Sequence, residues 1–489
     1  MEHCSKGSGR AIWIIAMTIL LSWVSFIRSE PLHSPLLDEL DPLHLPPPGT
    51  LGLRVLSPTL LELILISTKE PDPAPLLAWN FVGTDGVLNL PPASAIEVVV
   101  DEGPVSHQIV GFKRRPIYAA SQQRDLRIAN HLYLQLDEAI PESSEIRLSN
   151  PDRTLIAEER TLVVPLDPLR QSPAIHVNQV GYAPGLPKKA FVGYYLGSAG
   201  EMPLNDLETF SLIEADSGNV VFQGNLAVRP DIGYTYDPVP YQQVLEADFT
   251  AFDLPGMYRI QVDSLGVSLP FRLGHAVMPV FARTYALGIY HQRCGAANEL
   301  PFTRHTHEAC HTAEAQVPTL EFTGVNQFLA SITSDATSIP RHIAPPLSSV
   351  EASLFPFVRT NRVDVSGGHH DAGDYSKYTV NSAQFIHALV FAVDVLPNVR
   401  SLDNLGIPES GDGIGDLLQI ARWEAEFLSK MQDEDGGFYF LVYPRDRQYE
   451  HDVLPDKGDP QVVLPKTTVS TAAAVAALAQ IASSPAFRE

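Results

Sequence analysis

Two aspartates in a glycine-containing segment are the first candidates for chemistry in this sequence. Asp371 and Asp374 are three residues apart within residues 364–378, and three glycines in that segment allow the backbone to turn tightly. If the two carboxylates converge, they can bind and deprotonate one water, and each changes the pKa of the other. Such a pair is the base half of an inverting glycosidase, whose acid stands about 6.5–9.5 Å away across the sugar. The alternative is a helix-capping aspartate beside a solvated one.

Cysteine and histidine side chains form a second constellation. Cys294, Cys310 and His311 offer two thiols and an imidazole, which suit a tetrahedral zinc site. We predict His307 as the fourth ligand because it lies about one helical turn from His311; the histidine pair at 369–370 is the alternative. Two buried free thiols and a Cys294–Cys310 disulfide are the competing interpretations. A fully ligated zinc has no open position for catalysis, so its role would be to fold the loop.

A group of acidic residues gives a weaker prediction of a calcium site, because calcium prefers hard oxygen ligands. The candidates are Asp412, Asp416, Asp433, Glu434 and Asp435. Asp416 has an equally good interpretation as the N-cap of the helix that follows it.

Side chains beside the two aspartates are the candidates for substrate contact. Tyr378 is the first choice, since it follows the carboxylates and an aromatic ring can pack on the apolar face of a sugar. Tyr375, His369 and His370 are the other candidates. All four lie in the same segment as the aspartates, so one loop would position both groups.

Length, charge and composition limit the kinds of protein that can position these residues. The chain has 489 residues, which suggests about three domains. Its 34 Lys+Arg and 57 Asp+Glu give a net charge of −23, which argues against a nucleic-acid partner, because binding a phosphate backbone requires basic patches. Three cysteines are too few for a disulfide framework.

Residues 1–30 resemble a leader for export. Lys6 and Arg10 precede an apolar run, Ala11 to Ile27, which is the pattern of a secretory signal. The alternative is an uncleaved N-terminal membrane anchor, since no clear small-x-small cleavage site follows the run. We therefore predict an exported protein that is secreted, periplasmic or attached to the cell surface.

Two β-rich modules are predicted after a proline-rich linker. Residues 50–168 alternate short β-branched runs with turn residues, a pattern typical of a β-sandwich. Residues 174–273 continue in the same style and contain Asp216-Ser217-Gly218-Asn219, a hairpin turn signal. The first module shows no catalytic constellation.

The apolar periodicity changes to that of helices in residues 277–489. The pattern predicts four helices, over Val277–Tyr290, Ser382–Leu396, Ile414–Met431 and Thr467–Ile481. Helical hairpins separated by loops rich in Gly, Asp and His are compatible with an all-α toroid, and equally with another helical array.

The phrase Gly-Gly-x-x-Asp-Ala-Gly-Asp-Tyr-x-Lys-Tyr at positions 367–378 resembles the catalytic-base signature of glycoside hydrolase family 9. Four further phrases agree in the same order: Tyr290-His291-Gln292-Arg293-Cys294-Gly295, His307-Glu308-Ala309-Cys310-His311, Ile407-Pro408-Glu409-Ser410 and Lys430-Met431-Gln432-Asp433-Glu434-Asp435-Gly436-Gly437. Upstream, Asn178-Gln179-Val180-Gly181-Tyr182 and Pro255-Gly256-Met257-Tyr258 resemble the immunoglobulin-like domain that precedes many bacterial catalytic domains of this family. The resemblance covers about residues 174–489.

The resemblance implies specific roles for these residues. Asp374 would be the general base and Asp371 its partner on the same water, in an inverting hydrolysis of β-1,4-linked glucan. Bacterial members often hold a structural zinc with this Cys…Cys-His pattern. One departure concerns His369, because family members usually carry Trp or another aromatic residue there. That change would weaken stacking in one subsite and argues against cellulose in particular.

The same resemblance implies a fold in which β-sandwich modules precede an (α/α)6-toroid catalytic domain, of which only about the first half is present. The family's general acid is a Glu near the end of that domain, and no residue here matches its motif, so we expect the catalytic domain to be truncated. The alternatives are a non-catalytic carbohydrate-binding or pseudo-enzyme cell-surface protein, and an exo-acting enzyme on short oligosaccharides, including amino sugars of the chitosan type.

Overall fold

The computed structural model describes residues 46–69, 79, 81–83, 85–119, 126–155, 160–230, 244–317, 362–445, 448–451 and 453–488. The predicted leader, residues 1–30, lies outside the described residues. The chain divides into two compact units, Met1–Val277 and Met278–Glu489. Across the described ranges, no helix has both the length and the hydropathy that crossing a membrane requires.

The first part of unit 1 is a pair of four-stranded antiparallel sheets. The strands are β1 Leu51–Ser57, β2 Leu60–Lys69, β3 Glu97–Val100, β4 Gly103–Pro104, β5 His107–Ala119, β6 Leu126–Leu136, β7 Glu145–Ser149 and β8 Thr161–Pro165. The sheet orders are β1-β2-β6-β5 and β4-β3-β7-β8. Alternate apolar residues such as Leu53, Leu132 and Ile146 form one buried core, as expected for strands with one face inward.

The second part of unit 1 is also antiparallel. Its strands are β9 Ile175–His176, β10 Lys189–Val192, β11 Thr209–Glu214, β12 Val220–Val228, β13 Leu245–Asp248, β14 Gly256–Val262, β15 Gly266–Val267 and β16 Phe271–Leu273. They run in the order β15-β14-β11-β12-β13-β10-β9, and β16 pairs with β14. The predicted turn at 216–219 joins β11 to β12, with Gly218 at a φ of +72°.

The two tyrosines of the upstream phrases fasten loops of this second part. The Tyr182 hydroxyl donates to the carbonyl of Lys189 (2.7 Å) and accepts from the backbone N–H of Asn178 (2.9 Å). Gly256 leaves space for Tyr258, because a Cβ on Gly256 would lie 2.6 Å from the tyrosine oxygen. Both phrases therefore have a structural explanation that involves no ligand.

Unit 2 contains the four predicted helices, each within about three residues of its predicted limits. They are α1 Val277–His291, α2 Thr379–Val395, α4 Asp416–Lys430 and α5 Thr468–Ser483, and a single turn, α3 Pro397–Arg400, follows α2. α2 packs against both α4 and α5. Ile386 and Val390 of α2, Ile420 and Phe427 of α4, and Ala474 of α5 lie in one buried core.

The prediction that residues 277–489 are all-α is wrong for the part of this unit that the structure describes. The described residues include five short strands, β17 Ala315–Gln316, β18 Arg362–Val363, β19 Lys377–Tyr378, β20 Leu441–Pro444 and β21 Gln461–Val463. They form a sheet in the order β18-β17-β21-β20-β19. Strands of two to four residues are too short to show a period-two pattern, so they are invisible to periodicity. They matter here because β18 and β19 bracket the segment that carries the two aspartates.

Candidate functional site

The segment between β18 and α2 forms one wall of a pocket of about 520 Å³ in unit 2. Helices α1, α2 and α4 supply the rest of the wall. The lining residues are Phe281, Thr284, Tyr285, Gly288, Ile289, Gln292, His369, His370, Asp371, Tyr378, Asn381, Ser382, Phe385 and Glu424. Four of the six catalytic and substrate-contact candidates, Asp371, Tyr378, His369 and His370, are therefore brought to one cavity.

Contacts with α4 and with Lys377 hold the segment between β18 and α2 in place. Gly368 has a φ of +70°, and a Cβ there would lie 2.6 Å from Cδ1 of Phe427 on α4, so only glycine fits at that position. Lys377 donates to the carbonyls of Val365 and Gly367, the latter at 3.0 Å. These contacts fix the backbone that leads into the carboxylates.

Asp371 is exposed and reaches the pocket, whereas Asp374 is half-buried and is not among the pocket residues. Oδ1 of Asp371 accepts a hydrogen bond from Nδ2 of Asn381 (2.5 Å). Oδ1 of Asp374 accepts two, from the backbone N–H (3.1 Å) and the hydroxyl (2.6 Å) of Ser376. Oδ2 of each aspartate has no hydrogen-bond partner within the described part of the chain. Each carboxylate is thus anchored by one oxygen and offers the other to a ligand or water.

Tyr378 lies close to both carboxylates. Burial of its ring and then the negative charges of Asp374 and Asp371 raise the pKa of its phenol. Tyr375 has a φ of +57°, and its ring packs edge-on against His370 with 5.0 Å between centroids. Tyr375 is not a pocket residue, so its predicted contact with substrate has no support from this geometry.

Two cysteines and two histidines form a buried cluster directly behind the pocket wall. Ligand atoms of Cys294, Cys310, His311 and His370 all lie within 4.8 Å of one another. The two sulfurs are 4.0 Å apart and both cysteines are free, so the structure contains no Cys294–Cys310 disulfide. His370 Nε2 lies 3.2 Å from Sγ of Cys310. Both ring nitrogens of His311 are buried without a hydrogen-bond partner among the described residues.

The electrostatics of the cluster favour a mixture of thiolate and neutral imidazole. Burial raises the pKa of Cys294, but a hydrogen bond from Cys310 and the positive charge of Lys377 outweigh it and hold the pKa well below its usual value. The hydrogen bond with Cys294 and burial raise the pKa of Cys310. Burial and the charge of Lys377 lower the pKa of His311 to about 4, so its imidazole is neutral at pH 7.

This donor set fits zinc. Four ligands on a tetrahedron with Zn–S bonds of about 2.3 Å place two sulfurs about 3.8 Å apart, close to the observed 4.0 Å. Zinc requires thiolates and neutral imidazoles, and the surroundings already favour the thiolate of Cys294 and the neutral imidazole of His311. The unpaired nitrogens of His311 are a further sign that the cluster awaits a ligand, since buried polar atoms rarely lack partners.

The predicted fourth ligand, His307, lies outside the cluster. Its Nε2 faces Nδ2 of Asn298 (2.8 Å) and its Nδ1 faces the carbonyl of Glu308 (2.7 Å). The reason is that residues 305–311 are not helical, so His307 and His311 do not share a helix face. His370, from the histidine pair considered as the alternative, occupies the fourth position.

The structure does not assemble the predicted calcium site. Asp433 and Asp435 both pair with Lys466, at 2.5 and 2.6 Å. Asp416 is buried and accepts hydrogen bonds from the N–H of Leu405 (2.8 Å) and the hydroxyl of Ser410 (2.9 Å). Among the described residues, the Cys-His cluster is the group that brings three or more such side chains within reach of one ion.

Glu424 is a pocket residue that sequence reasoning missed. It is 1 % exposed and accepts a hydrogen bond from Nδ1 of His369 (2.6 Å). A signal for it exists in the sequence, because Glu424 interrupts the apolar stripe that Ile420, Phe427 and Leu428 form on the buried face of α4. A carboxylate in such a stripe needs a partner inside the protein.

Two family models match parts of this chain. Residues 170–267 match the model of a cellulase N-terminal Ig-like domain, and residues 282–487 match the model of glycosyl hydrolase family 9. Endoglucanase D of Acetivibrio thermocellus is 24 % identical over 311 residues, which are 63 % of this chain and 41 % of that protein. A xyloglucan-specific endo-beta-1,4-glucanase of Bacteroides ovatus is 27 % identical over 280 residues, 57 % of this chain and 39 % of that protein.

Among solved structures, a metagenome-derived glycoside hydrolase family 9 endoglucanase is similar at 30 % identity with a TM-score of 0.46. The match covers 63 % of this chain and 49 % of the other. The chain spans about two fifths of the length of the curated relatives described above.

Proposed function

The chain belongs to glycosyl hydrolase family 9, with an Ig-like domain before the catalytic domain, and from that premise we propose that it hydrolyses β-1,4-glycosidic bonds of a glucan or its oligosaccharides. The observation that carries this proposal is the position of Asp371 in the pocket wall, on the loop that also holds Asp374. Besides the endoglucanases described above, relatives of the chain include a cellodextrinase of Butyrivibrio fibrisolvens and a cellulose 1,4-beta-cellobiosidase of Acetivibrio thermocellus, which supports a β-1,4-glucan without fixing its length.

In the proposed reaction the two aspartates act on one water. Asp374 accepts the proton from the water as it attacks the anomeric carbon, and the bond to the leaving sugar breaks with inversion. The leaving oxygen takes its proton from a general acid, for which this sequence offers no assigned residue. Asp371 holds the same water from the pocket side. The two hydrogen bonds from Ser376 fix one oxygen of Asp374, so the other keeps a defined direction toward the water.

We further propose that zinc is bound by Cys294, Cys310, His311 and His370 and that its role is structural. With four protein ligands the ion would have no open position, so it would supply cross-linking rather than catalysis. His370 is the residue before Asp371. Fixing its imidazole would therefore fix the backbone from which the pocket carboxylate projects.

We also retain the proposal of export, with residues 1–30 as a signal or anchor, since the proposed substrate is an extracellular polymer. Release of the protein into the medium or periplasm, tested by fractionation with an antibody against unit 1, would support it. Retention in the cytosol would contradict it.

Replacing Asp374 with Asn is the experiment that tests the reaction. Asn keeps the oxygen that Ser376 binds but cannot accept a proton, so we expect hydrolysis of a soluble β-1,4-glucan to fall by about 10²–10⁴-fold. Binding of oligosaccharide should persist. Reducing-end release gives the rate, and NMR of the first anomer formed reports inversion.

The chain contains a matched control for this substitution. Asp364 makes the same turn two residues before a serine, with Oδ1 accepting from the N–H (2.9 Å) and hydroxyl (2.6 Å) of Ser366. Asp364 is not a pocket residue, so Asp364→Asn should leave the rate within about twofold. Equal rates for Asp374→Asn and the wild-type chain would remove Asp374 from the mechanism. Absence of hydrolysis by the wild-type chain, with binding retained, would favour the carbohydrate-binding alternative.

A further inference from the structure

A histidine and a glutamate form a buried pair in the wall of the pocket, and the proposed reaction does not use them. Nδ1 of His369 donates to Oε2 of Glu424 at 2.6 Å. The exposed fractions are 9 % for His369 and 1 % for Glu424, yet both line the cavity that contains Asp371. A charged residue this deeply buried needs a reason to be there.

The pair is held in place from both sides. Trp423, next to Glu424 on α4, donates its indole N–H to the carbonyl of Gly368 (3.1 Å), the residue before His369. On the other side of His369, the backbone N–H of His370 donates to the carbonyl of Gln292 (2.7 Å). The imidazole has little freedom to turn, because the backbone on each side of it is fastened and its ring packs edge-on against Phe385 (5.3 Å between centroids).

The carboxylate determines what the other side of the imidazole can do. Because Glu424 accepts the hydrogen from Nδ1, the neutral ring carries its proton there and presents a lone pair at Nε2. Nε2 of His369 is buried and has no hydrogen-bond partner in the described ranges. The wall therefore contains a pre-oriented acceptor whose partner must come from a ligand.

The pocket indicates the chemistry of that ligand. No lysine or arginine is found among the described residues that line it, and two carboxylates, Asp371 and Glu424, are present. This charge pattern disfavours an anion. Hydroxyl and amide groups of Thr284, Gln292 and Ser382 beside aromatic rings suit a neutral molecule with several hydroxyl groups.

We propose that Nε2 of His369 accepts a hydrogen bond from one sugar hydroxyl of the substrate and that Glu424 is the positioning residue that sets this acceptor. This inference rests on the proposed function, since it names how the same pocket recognises its glycan. Recognition at this point is therefore by a directed hydrogen bond, and a sugar that lacks the hydroxyl is rejected because the buried nitrogen stays unpaired.

Binding of methyl β-cellobioside and its 2-, 3- and 6-deoxy analogues to the full chain, followed by NMR titration, tests the proposal. We expect the wild-type protein to lose about 5- to 10-fold in affinity for one analogue, the cost of one missing hydrogen bond. In His369→Phe the parent disaccharide should bind about 5- to 10-fold more weakly, and the difference between parent and that analogue should fall below about twofold. Phe keeps the ring that packs on Phe385 but has no acceptor.

Two further variants separate recognition from folding. Glu424→Gln keeps the volume but allows either tautomer of His369, so we expect a loss of about two- to threefold in affinity for the parent and a weaker discrimination. His387→Phe is the matched control, because His387 is an exposed histidine outside the pocket whose Nδ1 faces Gln480 (2.8 Å). It should bind like the wild-type chain. A ¹⁵N shift of the His369 Nε2 resonance on addition of the disaccharide gives a direct readout in unmutated protein.

The outcomes distinguish this inference from the proposed reaction. Equal wild-type affinities for the parent and all three analogues, or an unchanged pattern in a folded His369→Phe chain, would overturn the inference and leave the Asp374 mechanism untouched. Failure of wild-type protein to bind the disaccharide would also overturn it. A clear deoxy pattern in a chain that does not hydrolyse glucan would contradict the proposed reaction and support the recognition role.

Discussion

Two buried polar clusters, one in each unit, differ in whether protein groups satisfy their hydrogen-bonding and charged atoms. In unit 1, Glu62 is fully buried, and its carboxylate pairs with Arg54 (3.2 Å), His131 (2.8 Å) and Tyr194 (2.8 Å). These groups come from both β-modules, so the cluster fastens one module to the other. The carboxylate is surrounded by donors that the chain itself supplies.

The cluster of unit 2 has the opposite character. Cys294, Cys310, His311 and His370 direct four metal-ligand atoms toward one another, and both ring nitrogens of His311 lack a partner among the described residues. A buried carboxylate surrounded by donors stabilises the fold, whereas converging metal-ligand atoms that include two buried nitrogens without a partner among the described residues suit an external ion. The comparison predicts that unit 1 is sensitive to charge and acid and that unit 2 is sensitive to chelation.

The largest effect is expected from removal of a metal ligand. We predict that His370→Ala reduces zinc from about one ion per chain to nearly none and lowers the unfolding temperature of unit 2 sharply. Structural zinc contributes about 10–16 kcal/mol of binding free energy in zinc-finger peptides, so loss of one ligand forfeits a large share. Elemental analysis and scanning calorimetry, with and without a chelator, measure both quantities.

His307→Ala is the control, since His307 lies outside the cluster and hydrogen-bonds to Asn298. It should retain zinc. The reverse result, zinc lost in His307→Ala and kept in His370→Ala, would contradict the assignment of the fourth ligand. Chelator-insensitive unfolding of the wild-type chain would argue against any structural ion.

The next largest effect is expected from a change in the Glu62 cluster of unit 1. Glu62→Gln removes the buried carboxylate charge that pairs with Arg54, and breaking a buried ion pair in this way should cost unit 1 about 3 kcal/mol. Calorimetry of the unit 1 transition at pH 7 measures the loss. Glu97→Gln is the matched control, because Glu97 is an exposed glutamate of the same module whose carboxylate accepts a hydrogen bond from the hydroxyl of Ser149.

The same cluster predicts the direction of the pH dependence. Burial alone would raise the pKa of Glu62, but the hydrogen bond and charge of His131 and the charge of Arg54 lower it to about 2, against about 4.5 when unfolded. A lowered pKa means that the unfolded chain binds the proton more readily, so this stabilisation is present above pH 4.5 and is lost as the pH falls toward 2. Glu62→Gln should flatten that part of the curve. A parallel decline in wild type and variant would show that other carboxylates control it.

The two clusters also differ in how much of them the sequence reveals. Most of the Cys-His cluster can be predicted from the sequence. The chain has three cysteines, and two of them lie within a short stretch that also contains histidines. Three of the cluster's four residues follow from that stretch. The fourth, His370, comes from another loop, and choosing it required the fold, since His307 is nearer along the chain but is not on a helix with His311.

The Glu62 cluster and the pair of Glu424 with His369 could not be predicted from the sequence. Both glutamates sit among apolar residues of one element, and their partners, His131 and His369, lie 69 and 55 residues away along the chain. Periodicity finds helix faces such as that of α4, and it located the four longer helices among the described residues of unit 2. It does not say which distant side chain fills a polar gap in such a face, because that is decided by tertiary packing.

The smallest effect is expected from replacing Lys377, a lysine in contact with the Cys-His cluster. Lys377 is fully buried, donates to Sγ of Cys294 (3.1 Å) and lies 4.2 Å from the centroid of the Phe427 ring. A hydrogen bond to a metal-bound thiolate tunes its charge, and loss of such a partner typically weakens metal binding by about 10- to 100-fold. We therefore predict that Lys377→Met keeps one zinc per chain but releases it at a lower chelator concentration. The thiolate-to-metal absorption band of the cobalt-substituted protein should also shift.

Lys430→Met supplies the comparison for Lys377, because Lys430 fastens the same loop through the carbonyl and hydroxyl of Ser366 (3.1 and 2.9 Å) without touching a sulfur. If Lys377 acts only by holding the loop, both variants should lose zinc affinity equally and leave the cobalt band unmoved. If it acts on the thiolate, only Lys377→Met should move the band. The second result would show that a positive charge of the protein partly balances the thiolate charge of the Cys-His cluster, as Arg54 does for the carboxylate of Glu62.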